Sequence, residues 1–373
     1  MKIKQVDLST FTANSHFYGR LNLAATIKSF DLQAIRKRYL ESRNSSTNKQ
    51  GSVKRRPVSL GGVAQLTVEN GRLTETELLE NLKEPRGLAT QVNKLAVSLE
   101  NRVLVLDELG AYSFSYPWFS YIHTVAFHPT KPRSILVTSS GFDSIFEFDY
   151  SLGKPQWEWF AWENGLNEAN DPDTGEKIIL TRKPLEAKKY AERGLRHLLI
   201  ANPAKDQLPT AKRAAFINTA HYGTNNYLVA TLFHEGTVRQ IDQITGNSKI
   251  LLQALKNPHG GQLTPFGLLC TDTGGGSVWL KADDHITQYN FSGLGAKAPE
   301  MGGAEWLQNT LYHQGLLVTI DANRNALVIF DPKKELIDKV PFNENWALQD
   351  LAVLNPSQLG FTQKLAALNN PTD

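Results

Sequence analysis

The sequence is poor in cysteine and in long apolar segments, and each scarcity excludes a class of protein. Its 373 residues include one cysteine, Cys270, so no intrachain disulfide can form and a disulfide-stapled secreted scaffold is excluded. No segment reaches the ~18 apolar residues that a membrane-spanning helix needs. The first thirty residues hold no apolar run of secretory length, so we expect a cytoplasmic protein. The net charge of +3 is too small to indicate nucleic-acid binding by itself.

One pattern recurs along the chain: an alternating apolar strand that ends in Asp and is followed by a turn. The carboxylate of such an Asp can accept hydrogen bonds from the backbone of the turn. Successive copies of this Asp lie 42, 93, 41 and 48 positions apart. A period of about 40–45 residues with short strands is typical of a β-propeller, in which each repeat forms one four-stranded blade. The five residues are Asp107, Asp149, Asp242, Asp283 and Asp331.

These repeats predict an all-β, six-bladed β-propeller over residues 58–365. Five repeats fill the chain from residue 86 to about residue 345. Both ends of the chain supply the sixth blade, which closes the ring and removes exposed sheet edges. A seven-bladed ring is the alternative, if the long insertion is a degenerate blade. The sixth blade is predicted to have inner strands at 350–354 and 358–361 and outer strands at 63–68 and 72–79.

Two segments outside the repeat are basic. Residues 1–57 form an N-terminal extension that we predict to be partly helical and flexible, with eight Lys or Arg and one acid between residues 36 and 56. This arm either tethers the protein to a protein or other anionic partner, or is a solvated linker. An insertion of about fifty residues, 163–214, is partly helical and basic. Residues 366–373 form a C-terminal tail.

The strand order predicts where the insertion lies. Successive strands of an antiparallel blade reverse direction, so a link from an outer strand to the next inner strand lies at the channel mouth that the inner strands enter. Insertion 163–214 is such a link. It is therefore either a lid over this mouth or a static brace packed on the tryptophans that precede it. As a lid it would bring a cation to a bound ligand; the candidates are Arg182, Lys188, Arg193 and Arg196.

One polar residue stands at the start of each predicted inner strand, and these positions converge on the axis of a propeller. Their many hydrogen-bond donors, one fixed cation and two imidazoles favour a small anionic or oxygen-rich ligand at the channel mouth. Turns on the same face add His234 and Arg324. The alternative is a polar, water-filled axis without a ligand. The six residues are Arg86, His123, Asn218, His259, Asn309 and Gln349.

Histidines near the inner strands could also bind a metal. His123 and His259 occupy the ring, but His221 and His313 lie three and four residues beyond its positions. The sequence contains no HxH or HxxxH pair and no strong carboxylate partner near these histidines. We therefore predict no cofactor, and an axial metal site is the less favoured alternative.

Two stretches carry a resemblance to a known family. The first runs through FINTAHY at 216–222, LVAT at 228–231 and GTVRQID at 236–242, and the second through NPHGG at 257–261 and GLLCTD at 267–272. Over residues 86–285 the chain resembles the bacterial arylsulfotransferase-like propellers, and it is also similar to NHL-type propellers. The first resemblance implies a channel histidine, His259 or His123, as the sulfuryl acceptor, with Arg86 holding the anion.

Two functional hypotheses follow. In the first, the protein is an enzyme, a group-transfer or lytic propeller that acts on a small anionic or oxygenated substrate at the polar ring. In the second, it is a non-catalytic propeller that serves as a protein–protein interaction module, as many NHL-type propellers do. The sequence leaves both open.

Overall fold

The architecture is a ring of β-sheets. The computed structural model describes residues 2–43, 54, 55 and 57–369. These residues form six sheets of four or five strands and one smaller sheet of three. Each innermost strand contacts the innermost strand of the next sheet, and the last contacts the first, so the six larger sheets close into a ring. The predicted all-β propeller is confirmed.

Blades 1 to 3 each consist of four consecutive antiparallel strands. Blade 1 contains Leu88–Gln91, Lys94–Ser98, Arg102–Asp107 and Gly110–Ser115. Blade 2 contains Ile122–Phe127, Ser134–Ser139, Ser144–Asp149 and Lys154–Phe160. Blade 3 contains Ile217–Tyr222, Tyr227–Leu232, Thr237–Asp242 and Ser248–Leu252. The three predicted Asp landmarks of these blades each end a third strand, as the repeat requires.

Blades 4 to 6 also take strands from the N-terminal part of the chain. Blade 4 contains His259–Thr264, Gly267–Asp272, Ser277–Ala282, His285–Asn290 and Lys2–Asp7. Blade 5 contains Leu307–His313, Leu316–Asp321, Ala326–Asp331, Leu336–Pro341 and Thr12–Ala13. Blade 6 contains Leu348–Val353, Arg20–Ile27, Leu60–Glu69 and Arg72–Lys83. The helices are α1 (Leu32–Arg43), α2 (Pro184–Glu192) and α3 (Phe361–Leu368).

Blade 6 is closed by both ends of the chain, but its second strand is not the predicted one. Arg20–Ile27 pairs with Leu348–Val353 on one side and with Leu60–Glu69 on the other. The predicted strand 358–361 instead ends a short 3₁₀ helix and begins α3. Gly360 is left-handed there, with φ 75°, which interrupts an extended strand. Arg20–Ile27 is longer and buries most of its apolar side chains between its neighbours.

The N-terminal strands belong to the ring, so the prediction that residues 1–57 form a separate extension is wrong for this part. Lys2–Asp7 adds a fifth, parallel strand to blade 4, and Thr12–Ala13 does the same to blade 5. These strands pair backbone groups that the outer edges of both blades would otherwise expose. Residues 44–53 and 56, which include much of the predicted flexible segment, lie outside the described residues.

Some cations of the basic arm form contacts within the folded structure. Arg36 is 2% exposed and donates to the carbonyl of Ala322 and, at 2.8 Å, to Glu300. It thereby fixes α1 on the loops of blade 5, where Ile35 is also buried. Arg55 donates at 2.7 Å to Glu100 of blade 1. A tether built on this arm would therefore have fewer free cations than the sequence suggests.

The insertion packs as a brace on blade 2. Its strands Glu168–Asn170, Lys177–Thr181 and His197–Leu199 form the small sheet, and Leu180 is buried in the same apolar cluster as Phe160. The guanidinium of Arg182 lies 3.8 Å over the Phe160 ring and 2.7 Å from both Glu158 and Glu163.

Two other cations proposed for a lid also have partners inside the insertion. Arg196 contacts Asp171 at 2.6 Å, and Lys188 lies 4.0 Å from Glu192. The brace interpretation is therefore the one that the described contacts favour. In the described part of the chain, none of the helices combines the length and the apolar character that a membrane span requires.

A buried hydroxyl recurs in the second strand of every blade. The group lies opposite the start of the innermost strand and bonds across blades in several cases: Ser98 donates to Ile122 at 3.2 Å, and Thr231 accepts from the backbone of Gly261 at 2.9 Å. This belt links neighbouring blades around the axis. Its members, all 0% exposed, are Ser98, Thr138, Thr231, Thr271, Thr319 and Thr26.

The belt gives a stability prediction at Thr26, whose hydroxyl donates to the Arg86 carbonyl and accepts from the Asp350 N–H at 3.1 Å. Thr26→Val is expected to lower the free energy of unfolding by about 1–3 kcal/mol, because two buried backbone groups lose their partner. Urea denaturation measures this. Thr74→Val, on the exposed outer strand of the same blade, is the matched control. Equal stability of the two variants would contradict the role of the belt.

Candidate functional site

Most inner strands share an irregularity of strand register near their N-terminal ends. Five of them show a register shift there, for example between Ile122 and Thr124, between Ile217 and Thr219, and between Leu348 and Asp350. A β-bulge of this kind bends the strand and re-aims the side chain that is skipped. The skipped positions include His123, Asn218 and Gln349.

A cavity of about 150 Å³ lies at this end of the channel. Three cationic side chains line it, Lys28, Arg38 and Arg86, together with the imidazoles of His123 and His259. Among the described residues that line it, none is Asp or Glu. An aromatic wall completes the cavity, formed by Tyr39, Tyr121, Phe216, Phe233 and Trp306.

The structure brings four of the six predicted ring residues together in this cavity: Arg86, His123, His259 and Gln349. Asn309 lies instead at the opposite cavity and donates at 2.6 Å to Asp350. The shift in blade 5 spans two residues, so Gln308 takes the position facing the mouth.

The remaining predicted residues do not line the cavity. Asn218 is fully buried and donates at 2.7 Å to the carbonyl of Pro258, so it joins blades 3 and 4. His234 lies beside the backbone of Arg213, with its Nδ1 3.0 Å from that carbonyl. Arg324 is buried and donates at 2.8 Å to Asp321 and to several loop carbonyls. Its guanidinium is used to hold the loop that follows blade 4.

Three cations in or beside the cavity were not predicted as site residues: Lys28 and Arg38 line it, and Arg213 lies against Tyr121 of its wall. Lys28 is 7% exposed; its Nζ donates at 3.0 Å to Gln349 and lies 5.1 Å over the ring of Trp306. Arg213, at the end of the insertion, is 1% exposed, and its guanidinium lies 4.5 Å from the ring centroid of Tyr121. The sequence feature that could have identified Lys28 is its position two residues after Thr26, a member of the hydroxyl belt.

A buried ionic network lies beside the cavity. Arg86 and Glu84 form an ion pair at 2.7 Å, and both are at most 2% exposed. Burial, followed by the charge of Glu84, raises the pKa of the Glu100 carboxyl. Among the described residues, the Nε of Arg86 has no hydrogen-bond partner although it is buried. The Nε–H group of Arg86 is therefore available to donate to a ligand.

Both imidazoles in the cavity are neutral at physiological pH. Burial, and then the charge of Lys28, lowers the pKa of His259 to about 3. Burial and the charge of Arg86 hold the pKa of His123 well below its usual value. The Nδ1 of His259 lies 3.2 Å from the Asn257 carbonyl and 2.8 Å from the Thr273 hydroxyl. Because a carbonyl only accepts, Nδ1 carries the proton and Nε2 keeps its lone pair.

A metal site does not emerge from the described part of the chain, where no three His, Cys, Asp or Glu side chains are grouped to hold an ion. The rings of His123 and His259 lie 5.8 Å apart, while His221 and His313 line the opposite cavity. The absence of a cofactor stays a prediction.

Comparison with known proteins supports the fold. No protein-family model and no curated protein matches the sequence. A nidogen/laminin complex structure is similar with a TM-score of 0.51 at 13% identity, covering 90% of this chain and 98% of that one. A protein of unknown function from Bacteroides caccae has a TM-score of 0.54 at 10% identity, covering 90% of this chain and 100% of that one. At such identities these propeller-like structures show the fold alone.

Proposed function

We propose that the cavity at the channel mouth binds a small anionic ligand. The observation that carries this proposal is the charge of the lining: Lys28, Arg38 and Arg86 against no carboxylate among the described lining residues. Hydrogen bonds from ammonium and guanidinium groups to a carboxylate, sulfate or phosphate are among the strongest in proteins. The low exposure of Lys28 and Arg86 strengthens them further.

The aromatic wall sets the size and character of the rest of the ligand. Tyr39 stacks on Trp306 with ring centroids 4.8 Å apart, and Phe216 contacts Phe233 at 4.7 Å. Such rings favour an apolar or aromatic body. A cavity of about 150 Å³ is of the size that accommodates a single benzene ring. The proposed ligand is therefore a single-ring anion.

The resemblance to arylsulfotransferase-like propellers and the tautomer of His259 support a group-transfer reaction. The lone pair on Nε2 attacks the sulfur of an aryl sulfate, the bond from sulfur to the aryl oxygen breaks, and the phenolate leaves. A second hydroxyl compound then attacks the sulfur, and the bond from sulfur to Nε2 breaks, which restores the neutral imidazole with its proton on Nδ1. The proton of the attacking hydroxyl passes to the released phenolate. Lys28 and Arg86 stabilise the negative charge on the transferring oxygens.

Incubation with 4-nitrophenyl sulfate tests both the proposed anion binding and the proposed group transfer. We expect release of 4-nitrophenol and, by peptide mass spectrometry, a sulfuryl adduct on His259. His259→Ala should abolish both, whereas His128→Ala, at a turn histidine whose Nδ1 accepts from Lys131 at 2.8 Å, should retain both. Saturable binding without an adduct would support the non-catalytic alternative. The absence of any binding would contradict the anion site.

A further inference from the structure

A second cavity, of about 420 Å³, opens at the opposite end of the channel. The inner strands form its wall, and its polar groups include Asp350, Gln262, His221 and His313. Among the described residues that line it, none is Lys or Arg. The two ends of the channel therefore have opposite electrostatic character.

The acid in this cavity is held in place and keeps capacity for a ligand. Asp350 is 6% exposed and accepts from the backbone of Leu88 at 2.9 Å, from the side chain of Asn309 at 2.6 Å and from the backbone of Leu351 at 2.9 Å. A carboxylate offers about four lone-pair positions, so these three bonds leave one. Its orientation is fixed before any ligand arrives, which reduces the entropy cost of binding.

A second acceptor, the side-chain amide of Gln262, lines the same cavity as this carboxylate. The amide nitrogen of Gln262 donates at 3.1 Å to the carbonyl of Thr310, the residue after Asn309. The amide oxygen of Gln262 is therefore left as an acceptor. Tyr312 and Phe127 add aromatic surface to the same cavity, which suits a cation and the apolar chain that bears it.

We propose that this cavity is a second binding site, which takes an alkylammonium group between Asp350 and Gln262. An ammonium group presents three donors and no acceptor, which matches a wall that offers a carboxylate and an amide oxygen. An anion would meet Asp350 without any compensating cation from the described lining. The site is independent of the anion site at the mouth, and either can exist without the other.

The proposal predicts a pH dependence with a definite sign. Burial raises the pKa of Asp350 to about 6, against the hydrogen bonds from Leu88, Asn309 and Leu351, which lower it. The carboxylate is charged above this pKa and attracts an ammonium group; below it the carboxyl is neutral. Of the other titratable groups in the cavity, His221 has its pKa lowered by burial to about 4, and burial also lowers that of His313. Binding should therefore be strong at neutral pH and weaken as the pH falls through about 6.

Calorimetric titration of the full chain with n-butylammonium tests the site, with 1-butanol as the neutral probe of equal length. We expect n-butylammonium to bind in preference to 1-butanol near pH 7.5, and its affinity to fall about tenfold or more near pH 5. Gln262→Leu should weaken binding by about tenfold, because a bond to a charged group is lost. Gln243→Leu, at a glutamine that bonds to Glu147 outside the cavity, is the matched control.

A free amine and a lysine side chain share this chemistry, so a capped Gly-Lys-Gly peptide is titrated in parallel. Binding of either cationic probe with the expected pH profile supports the site. Tighter binding of n-butylammonium would identify a free amine as the ligand, and tighter binding of the peptide would identify a lysine side chain. If Gln262→Leu does not fold, the pH profile of the unaltered protein decides. Equal binding of 1-butanol, no binding of either cation, or affinity independent of pH would overturn the proposal.

Discussion

Asp143→Ala is expected to lower the free energy of unfolding by about 3–6 kcal/mol, since several buried N–H groups lose their acceptor at once. The Asp143 carboxylate is 0% exposed and accepts from the backbone N–H groups of Ala214, Ala215 and Phe216 at 2.8, 3.1 and 2.6 Å. It also accepts from the indole of Trp162 at 3.2 Å. One carboxylate thus ties blade 2 to the end of the insertion and to the start of blade 3.

Urea denaturation of both Asp143→Ala and a control measures this effect. Asp173→Ala is the matched control, because Asp173 lies in the same insertion and is exposed, with one ion pair at 3.3 Å to Lys212. We expect the control to stay within about 0.5 kcal/mol of the unaltered protein. A similar small effect of Asp143→Ala would show that the insertion is not anchored through this carboxylate.

Arg86→Met is expected to have two separable effects. It should remove the principal guanidinium of the anion site, and it should lower the free energy of unfolding by about 3–5 kcal/mol, because Glu84 loses a buried ionic partner. Adding Glu84→Gln should restore much of the stability, since the buried charge is then gone. It should not restore anion affinity.

The comparison of single and double variants distinguishes a structural arginine from a binding one. Thermal unfolding reports stability, and calorimetric titration with 4-nitrophenyl sulfate reports affinity. If the double variant binds the anion as well as the unaltered protein does, Arg86 acts only through the fold. That outcome would remove the main guanidinium from the proposed site.

The regular repeats were predictable from the sequence because the third strands of blades 1, 2, 3 and 5 each end in an Asp that bonds the following turn, while in blade 4 Asp283 lies one residue beyond the third strand. Asp107, Asp242 and Asp331 all accept such backbone bonds in the structure. The second strand of blade 6 was missed because Arg20–Ile27 is separated from its partner Leu60–Glu69 by α1 and the segment after it. The signal was present in Thr26, which matches the buried hydroxyl of the other second strands.

The lining of the mouth cavity was predictable in part, for a physical reason. Residues at strand starts converge on a propeller axis, which placed Arg86, His123 and His259 correctly in one cavity. Convergence of the strand starts does not by itself reveal a β-bulge. The strand register of blade 5 was therefore needed to show that Gln308, and not Asn309, faces the mouth cavity. Arg213 was not predictable, because it lies at the end of an insertion that is outside the repeat.

Selection of an anion by the mouth cavity is tested most directly by calorimetric titration with a matched pair of ligands. 4-Nitrophenyl sulfate and the neutral 4-nitroanisole share a ring and differ in charge. We expect that the sulfate binds, that 4-nitroanisole binds far more weakly, and that Lys28→Met weakens sulfate binding by about tenfold or more. Equal affinity for the two ligands, or sulfate binding unchanged by Lys28→Met, would contradict this expectation.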